Sequence, residues 1–415
     1  ESDWSSDVCS SDLNKDVEFD FDNDAIQTYV DGDWLKAKGT TLGADDGIGI
    51  AMEMALLKAN DIEHGPIECV FTRDEETGLT GAFEMKPGFM TGDYLINLDS
   101  EDEGQLFVSC AGGVRTEATY TVDEEKLPEG FSTFNLVVKG LTGGHSGDDI
   151  NKKRANANKL LVRFLWEQSE KTDLRLCDIQ AGGLHNAIPR EAHTTVAVPT
   201  AYVATFGEEL QAFVEKVRDE FSATEPELTA VIEPVAAAPT CICKEQAERL
   251  LKSLSVVHNG IFAMSQDLEG LVETSSNLAS VHKHGNQIVA TTSQRSSVAS
   301  NLEYMASVVR SAFELGGAKC VTNEGYPGWK MNPKSEILKV CVDSYKRLFG
   351  KDPLVRAIHA GLECGLFSEK YPHLDMVSFG PTLRGVHSPD ERLLIPTVQM
   401  VWDHLLDVLK NVPEK

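Results

Sequence analysis

Carboxylates and one imidazole recur where this chain turns: Asp45, the pair Glu75 and Glu76, Asp99, and His387. Asp45 lies in Leu42-Gly43-Ala44-Asp45-Asp46-Gly47, ahead of the amphipathic stretch 48–59. Glu75 and Glu76 follow the apolar run 67–72, Asp99 ends the run 94–98, and His387 sits in the Gly/Pro-punctuated loop 380–391. Packing explains acidic residues at strand ends poorly. Two metal ions about 3.5–4 Å apart do need them: a bridging carboxylate, a terminal carboxylate or imidazole on each ion, and an activated water between. Asp45 is the candidate bridge, because a loop that opens a helix presents backbone N–H groups that can orient a carboxylate. Of the adjacent Glu75 and Glu76, one can bind metal while the other takes a proton from bound water. Singly, each has a plainer explanation. Asp45 or Asp46 could be an N-cap, Glu75–Glu76 with Asp74 a solvated turn, Asp99 a turn cap among Glu101, Asp102 and Glu103, and His387 a surface histidine. The joint pattern points to metal more strongly than any member.

A second group lies mid-chain. Flanking glycines let His145, in Gly143-Gly144-His145-Ser146-Gly147, approach a ligand closely, so it can act as an electrophile in a cleft.

The elements that must position these residues fall into two patterns. From 36 to 113, strand-like and helix-like segments alternate: a helix near 46–59, strand 67–72 and strand 94–98. That alternation predicts a doubly wound, mostly parallel sheet. Between 114 and 319, alternating runs such as 134–138 and 194–198 mix with helical stretches 152–169 and 206–222, the mark of an α+β domain with an antiparallel sheet. After Tyr326-Pro327-Gly328-Trp329 the first pattern returns, with a helix near 335–349, strands 354–358 and 376–379, and a final helix near 395–410. The expected organisation is an α/β catalytic domain (14–113 and 320–415) interrupted by an inserted α+β lid or dimerisation domain (114–319).

Composition narrows the function. The chain has 415 residues, 41% of them hydrophobic and 25% charged, as expected of an ordinary globular protein. A net charge of −27 argues against a nucleic-acid partner. No run approaches the roughly 18 apolar residues of a membrane span. Nine cysteines without CxxC pairs suggest a reducing, cytoplasmic setting. Residues 1–13 repeat Ser-Asp at Ser2-Asp3, Ser6-Asp7 and Ser11-Asp12. This biased stretch is expected to be foreign to the rest and is set aside from fold reasoning.

Taken in order, Gly43-Ala44-Asp45-Asp46-Gly47, Asp74-Glu75-Glu76-Thr77-Gly78, Asn97-Leu98-Asp99-Ser100, Gly143-Gly144-His145-Ser146-Gly147 and Gly385-Val386-His387-Ser388-Pro389-Asp390-Glu391 resemble the dinuclear zinc dipeptidases of the carboxypeptidase-G-like metallopeptidase family. Supporting stretches are Gly183–Glu191, His359–Gly365 and 326–329, so the likeness runs from Asn14 to the C-terminus. The resemblance implies hydrolysis of dipeptides, Xaa-His and broader, with two Zn2+ (Mn2+ or Co2+ also suit such ligands). It implies that Asp45 bridges the metals, with a cis peptide to Asp46. Asp99 would hold the first metal, Glu76 and His387 the second, and Glu75 would be the general base. His145 would stabilise the oxyanion across a homodimer formed through the lid, and Arg295 and Asn186 would grip the substrate's C-terminal carboxylate. The family carries a His-x-Asp pair ahead of the bridging Asp. Here that spacing falls near Ser6 to Val8, and all eleven histidines lie at position 64 or beyond. The first metal site is therefore expected to be incomplete and this polypeptide impaired. An aminoacylase or carboxypeptidase acting on N-acylated amino acids is the alternative within the same family. A non-catalytic scaffold with solvated acidic loops is the alternative outside it.

Overall fold

The computed structural model describes residues 17–21, 23–75, 79–266 and 268–413. The 1–13 segment and Glu76 lie outside the described residues. The chain divides into two compact units. The first runs up to Cys110 and includes Trp329–Ile358 and the chain from Leu362 onward; the second is Ala111–Gly328 with His359–Gly361. The division thus falls after Cys110 rather than 113, and the chain returns at Trp329 rather than 320. Lys319–Thr322 explains the later return: it pairs with Gly112–Thr121 as an outer strand of the second unit's sheet.

The first unit is α/β. Its four-stranded sheet has the order Leu354–Ile358, Gln105–Cys110, Asp375–Ser378, Tyr94–Asn97. The two outer pairings are parallel and the central one is antiparallel. Helices Ala44–Lys58, Glu336–Phe349 and Ile395–Asn411 close over it through a core that includes Met52, Leu56, Val108, Ile337, Val377, Val401 and Leu405. Ser335 caps the second helix by accepting from Leu338 N, and Gly350 ends it at φ 69°, a left-handed conformation glycine adopts without penalty. A small antiparallel sheet, Thr28–Asp31, Trp34–Ala37, Arg392–Leu394 and Leu383–Arg384, frames the loop that carries His387.

The strand expected at 67–72 is not formed. Its apolar run is present, but a strand is defined by its ladder, and no described strand pairs with this run. It stays extended with Phe71 49% exposed. Its start is tied instead by Glu68, whose carboxylate accepts from Thr91 N, Thr91 Oγ1 and Gly92 N.

The second unit is a nine-stranded antiparallel sheet. Eight strands run in the order Thr229–Pro234, Phe131–Lys139, Ala192–Pro199, Arg175–Gly182, Val272–His284, Gln287–Ser296, Gly112–Thr121, Lys319–Thr322, and Gly260–Met264 pairs beside Val272–His284. Helices Ala157–Ser169, Val203–Glu220, Lys244–Val256 and Ala299–Leu315 pack on it around Phe164, Phe206, Leu161 and Phe313. No helix among the described residues is long and apolar enough to cross a membrane.

Candidate functional site

In the first unit the site begins at the entry to helix Ala44–Lys58. Gly43 takes φ 69°, and Asp45 and Asp46 depart from helical geometry. The peptide bond between them is cis. The two carboxylates divide the roles that the sequence left open. Asp46 caps the regular helix, its Oδ1 accepting from Gly49 N at 3.0 Å. Asp45 turns to His387, with Oδ2 3.2 Å from Nε2. His387 is reached by the loop between Leu383–Arg384 and Arg392–Leu394, where Gly385 (φ 68°) and His387 itself (φ 58°) both take left-handed backbone.

Asp99, just past the strand Tyr94–Asn97, closes the group. Burial raises its carboxyl well above the usual range, and the charges of Asp45 and Asp46, a hydrogen bond with Asp45 and the charge of Glu75 add to this. Burial would also raise Asp45, but hydrogen bonds to His387 and Asp99 bring it below its ordinary value. Asp46 is pushed up to about 7, mainly by burial, and Glu101 is also raised by burial and by Asp45. Asp45 and Asp99 thus share a hydrogen bond that needs a proton between two carboxyls. A divalent cation would balance the same charge, and oxygen and imidazole donors of this kind suit Zn2+, Mn2+ or Co2+. Among the described residues no three His, Cys, Asp or Glu side chains already form a closed ligand group; the expected ligand Glu76 is outside them.

The second unit holds the other candidates. The short strand Gly144–His145 pairs with Ala187–Ile188, and Asn186 O accepts from Ser146 N at 2.8 Å. His145 Nδ1 lies 3.2 Å from Asp148 N and 3.3 Å from its carboxylate, and Nε2 lies 3.4 Å from Arg295 Nη2. Arg295 is only 8% exposed; its Nη1 donates to Tyr326 Oη at 2.8 Å, and its buried Nε has no hydrogen-bond partner. A buried guanidinium so incompletely paired suits an anionic ligand. His359 joins this group with Nε2 2.8 Å from Ser275 Oγ. Burial, then the nearby Arg295 charge, pushes His359 down to about 3, so its ring is neutral.

The structure therefore gathers Asp45, Asp99, His387 and Glu75 in one unit, and His145, Arg295 and Asn186 in the other. Sequence reasoning assigned no role to Tyr326 or His359, although both lie in stretches that carried the family likeness. It also assigned no role to Glu391, which closes the quoted His387 stretch and bonds the backbone of the Asp45 loop.

Comparisons with known proteins agree on one family. Peptidase family M20/M25/M40 matches residues 21–411. The cytosol non-specific dipeptidase of Escherichia coli (strain K12) is 42% identical over 402 residues, covering 97% of this chain and 83% of the relative. The crystal structure of aminoacylhistidine dipeptidase from Vibrio alginolyticus superposes with a TM-score of 0.92 at 43% identity, covering 97% of this chain and 82% of that one. A tripeptidase from Staphylococcus aureus, at 16% identity and a TM-score of 0.52 over 93% of this chain and 76% of its own, shares the fold.

Proposed function

The chain belongs to peptidase family M20/M25/M40, and from that premise we propose that it is a metal-dependent dipeptidase cleaving short unblocked peptides, Xaa-His among them. The observation that carries this reading is the meeting of Asp45, Asp99 and His387 beside Glu75. Asp45, Asp99, Glu76 and His387 would hold the metal, Asp99 at a first divalent ion, Glu76 and His387 at a second and Asp45 at both, with Zn2+ the expected ion and Mn2+ or Co2+ compatible. When bound, such ions polarise the scissile carbonyl and lower the pKa of the attacking water. Glu75 would serve as the general base toward the attacking water and as the acid toward the departing amine. His145 donates to the developing oxyanion. Arg295, held by Tyr326, and Asn186 grip the free carboxylate of the substrate, for which the planar guanidinium fork is suited.

The cytosolic name of the 42%-identical relative supports a cytoplasmic location. A homodimer through the second unit is also inferred. Gly260–Met264 carries Ile261, Phe262 and Met264 well exposed, and Phe262 meets the exposed Tyr304 with ring centroids 6.0 Å apart. The test of substrate class is direct competition between unblocked dipeptides, including Xaa-His, and N-acetyl amino acids. Preferential cleavage of the dipeptides supports the reading, and preference for the N-acyl compounds would turn it toward an aminoacylase.

A further inference from the structure

Glu391 is 3% exposed, and its carboxylate spends all its hydrogen-bonding capacity on one stretch of backbone. One oxygen accepts from Leu42 N at 2.7 Å and Gly43 N at 3.0 Å; the other accepts from Ala44 N at 2.8 Å and Asp45 N at 3.3 Å. These N–H groups lie just ahead of the regular helix that Asp46 caps, so no intrahelical carbonyl takes them, and a buried backbone donor needs another partner. Glu391 is itself anchored. Its N–H donates to Ser388 O at 3.0 Å, and Arg392 next to it is paired in the small sheet with Lys36 and Arg384. The loop ending at Glu391 is the one that carries His387. A single carboxylate therefore ties the segment bearing Asp45 to the segment bearing His387, whose side chains meet at 3.2 Å.

We propose that Glu391 is a positioning residue that locks the Asp45 loop and the His387 loop into one rigid metal-binding frame. The inference rests on the metallopeptidase reading, because the frame's purpose is to set ligand spacing. Glu391→Gln keeps the shape but replaces one acceptor oxygen with an N–H2 group facing backbone donors. Chelator-stripped wild type and Glu391→Gln are titrated calorimetrically with Co2+ alone, and amide hydrogen exchange is followed at residues 42–45. Loss of an outer partner of a metal ligand typically weakens affinity about 10–100-fold. That loss is expected here, together with faster exchange at 42–45. Val408→Ala, a core truncation in the same unit, serves as the stability control: it lowers Tm and leaves Co2+ affinity unchanged. Where Glu391→Gln does not fold, Glu391→Asp, which keeps the charge but shortens the reach, is expected to show the same weakening. Co2+ affinity within about two-fold of wild type in a folded Glu391 variant, or unprotected 42–45 amides in wild type, would overturn the proposal. Failure of wild type itself to bind Co2+ would instead overturn the metallopeptidase reading, and the clamp's purpose with it.

Discussion

Glu75 stands on the turn after 67–72, and its charge is felt at Asp99. A carboxylate shuttling the water proton contributes about 10²–10⁴ in rate. Glu75→Gln should lower kcat by about that factor while calorimetric metal affinity holds; a variant retaining most of its turnover would take Glu75 out of the base role. His359 makes a different prediction, on stability. Its folded value of about 3 lies below the ordinary 6.5, so the native state binds fewer protons than the unfolded chain between those values. Stability is complete above pH 6.5 and is lost as pH falls toward 3, by about 1.4 kcal/mol per unit. Unfolding curves at pH 7 and 4.5 should show wild type losing about 2–3 kcal/mol more than His359→Gln. Parallel acid limbs for the two proteins would show that His359 does not carry this dependence.

At the scale of elements, the site depends on close crossings of turns. Phe379 N donates to Asn97 O at 3.0 Å, where Asp375–Ser378 runs parallel to Tyr94–Asn97. A Cβ on Gly380 would stand 2.0 Å from Ser100 O and 2.9 Å from Leu98 O, on the turn that presents Asp99. Gly380→Ala should therefore cost about 1–3 kcal/mol and weaken metal binding, whereas Gly65→Ala, with open space around it, should change neither; unaltered Tm and affinity in Gly380→Ala would mean the turn yields freely. Much of this level could be read from the sequence. Amphipathic period placed the helices Ala44–Lys58, Glu336–Phe349 and Ile395–Asn411 within a few residues, and Asp45, Asp99 and His387 stood out as polar groups at turns after apolar runs. What stayed hidden depends on distant partners. The run 67–72 has a strand's apolar, β-branched character, but pairing is not a local property. Glu391 grips amides as far as 349 residues upstream, and His359 is held by Ser275, 84 residues away. No local pattern encodes either contact.

At the scale of the whole molecule, two units with separate cores each carry one group of candidate residues: carboxylates and imidazole in one, a buried arginine with histidines in the other. The exposed face around Phe262 and Tyr304 leads to the expectation that the chain sediments at twice its 45.4 kDa mass, and that Phe262→Asp shifts it toward monomer; sedimentation of wild type as a monomer at micromolar concentration would remove the dimer. A net charge of −27 also makes divalent cations natural partners for the acidic first unit. The most direct measurement is hydrolysis of an unblocked Xaa-His dipeptide by the chelator-treated chain before and after Zn2+ or Co2+ is restored, with His387→Ala alongside. The expected result is no turnover without metal, recovery on its return even if the rate is low, and no recovery in His387→Ala. Turnover that survives chelation, or recovery in His387→Ala equal to that of wild type, would contradict a metal-dependent dipeptidase built on Asp45, Asp99 and His387.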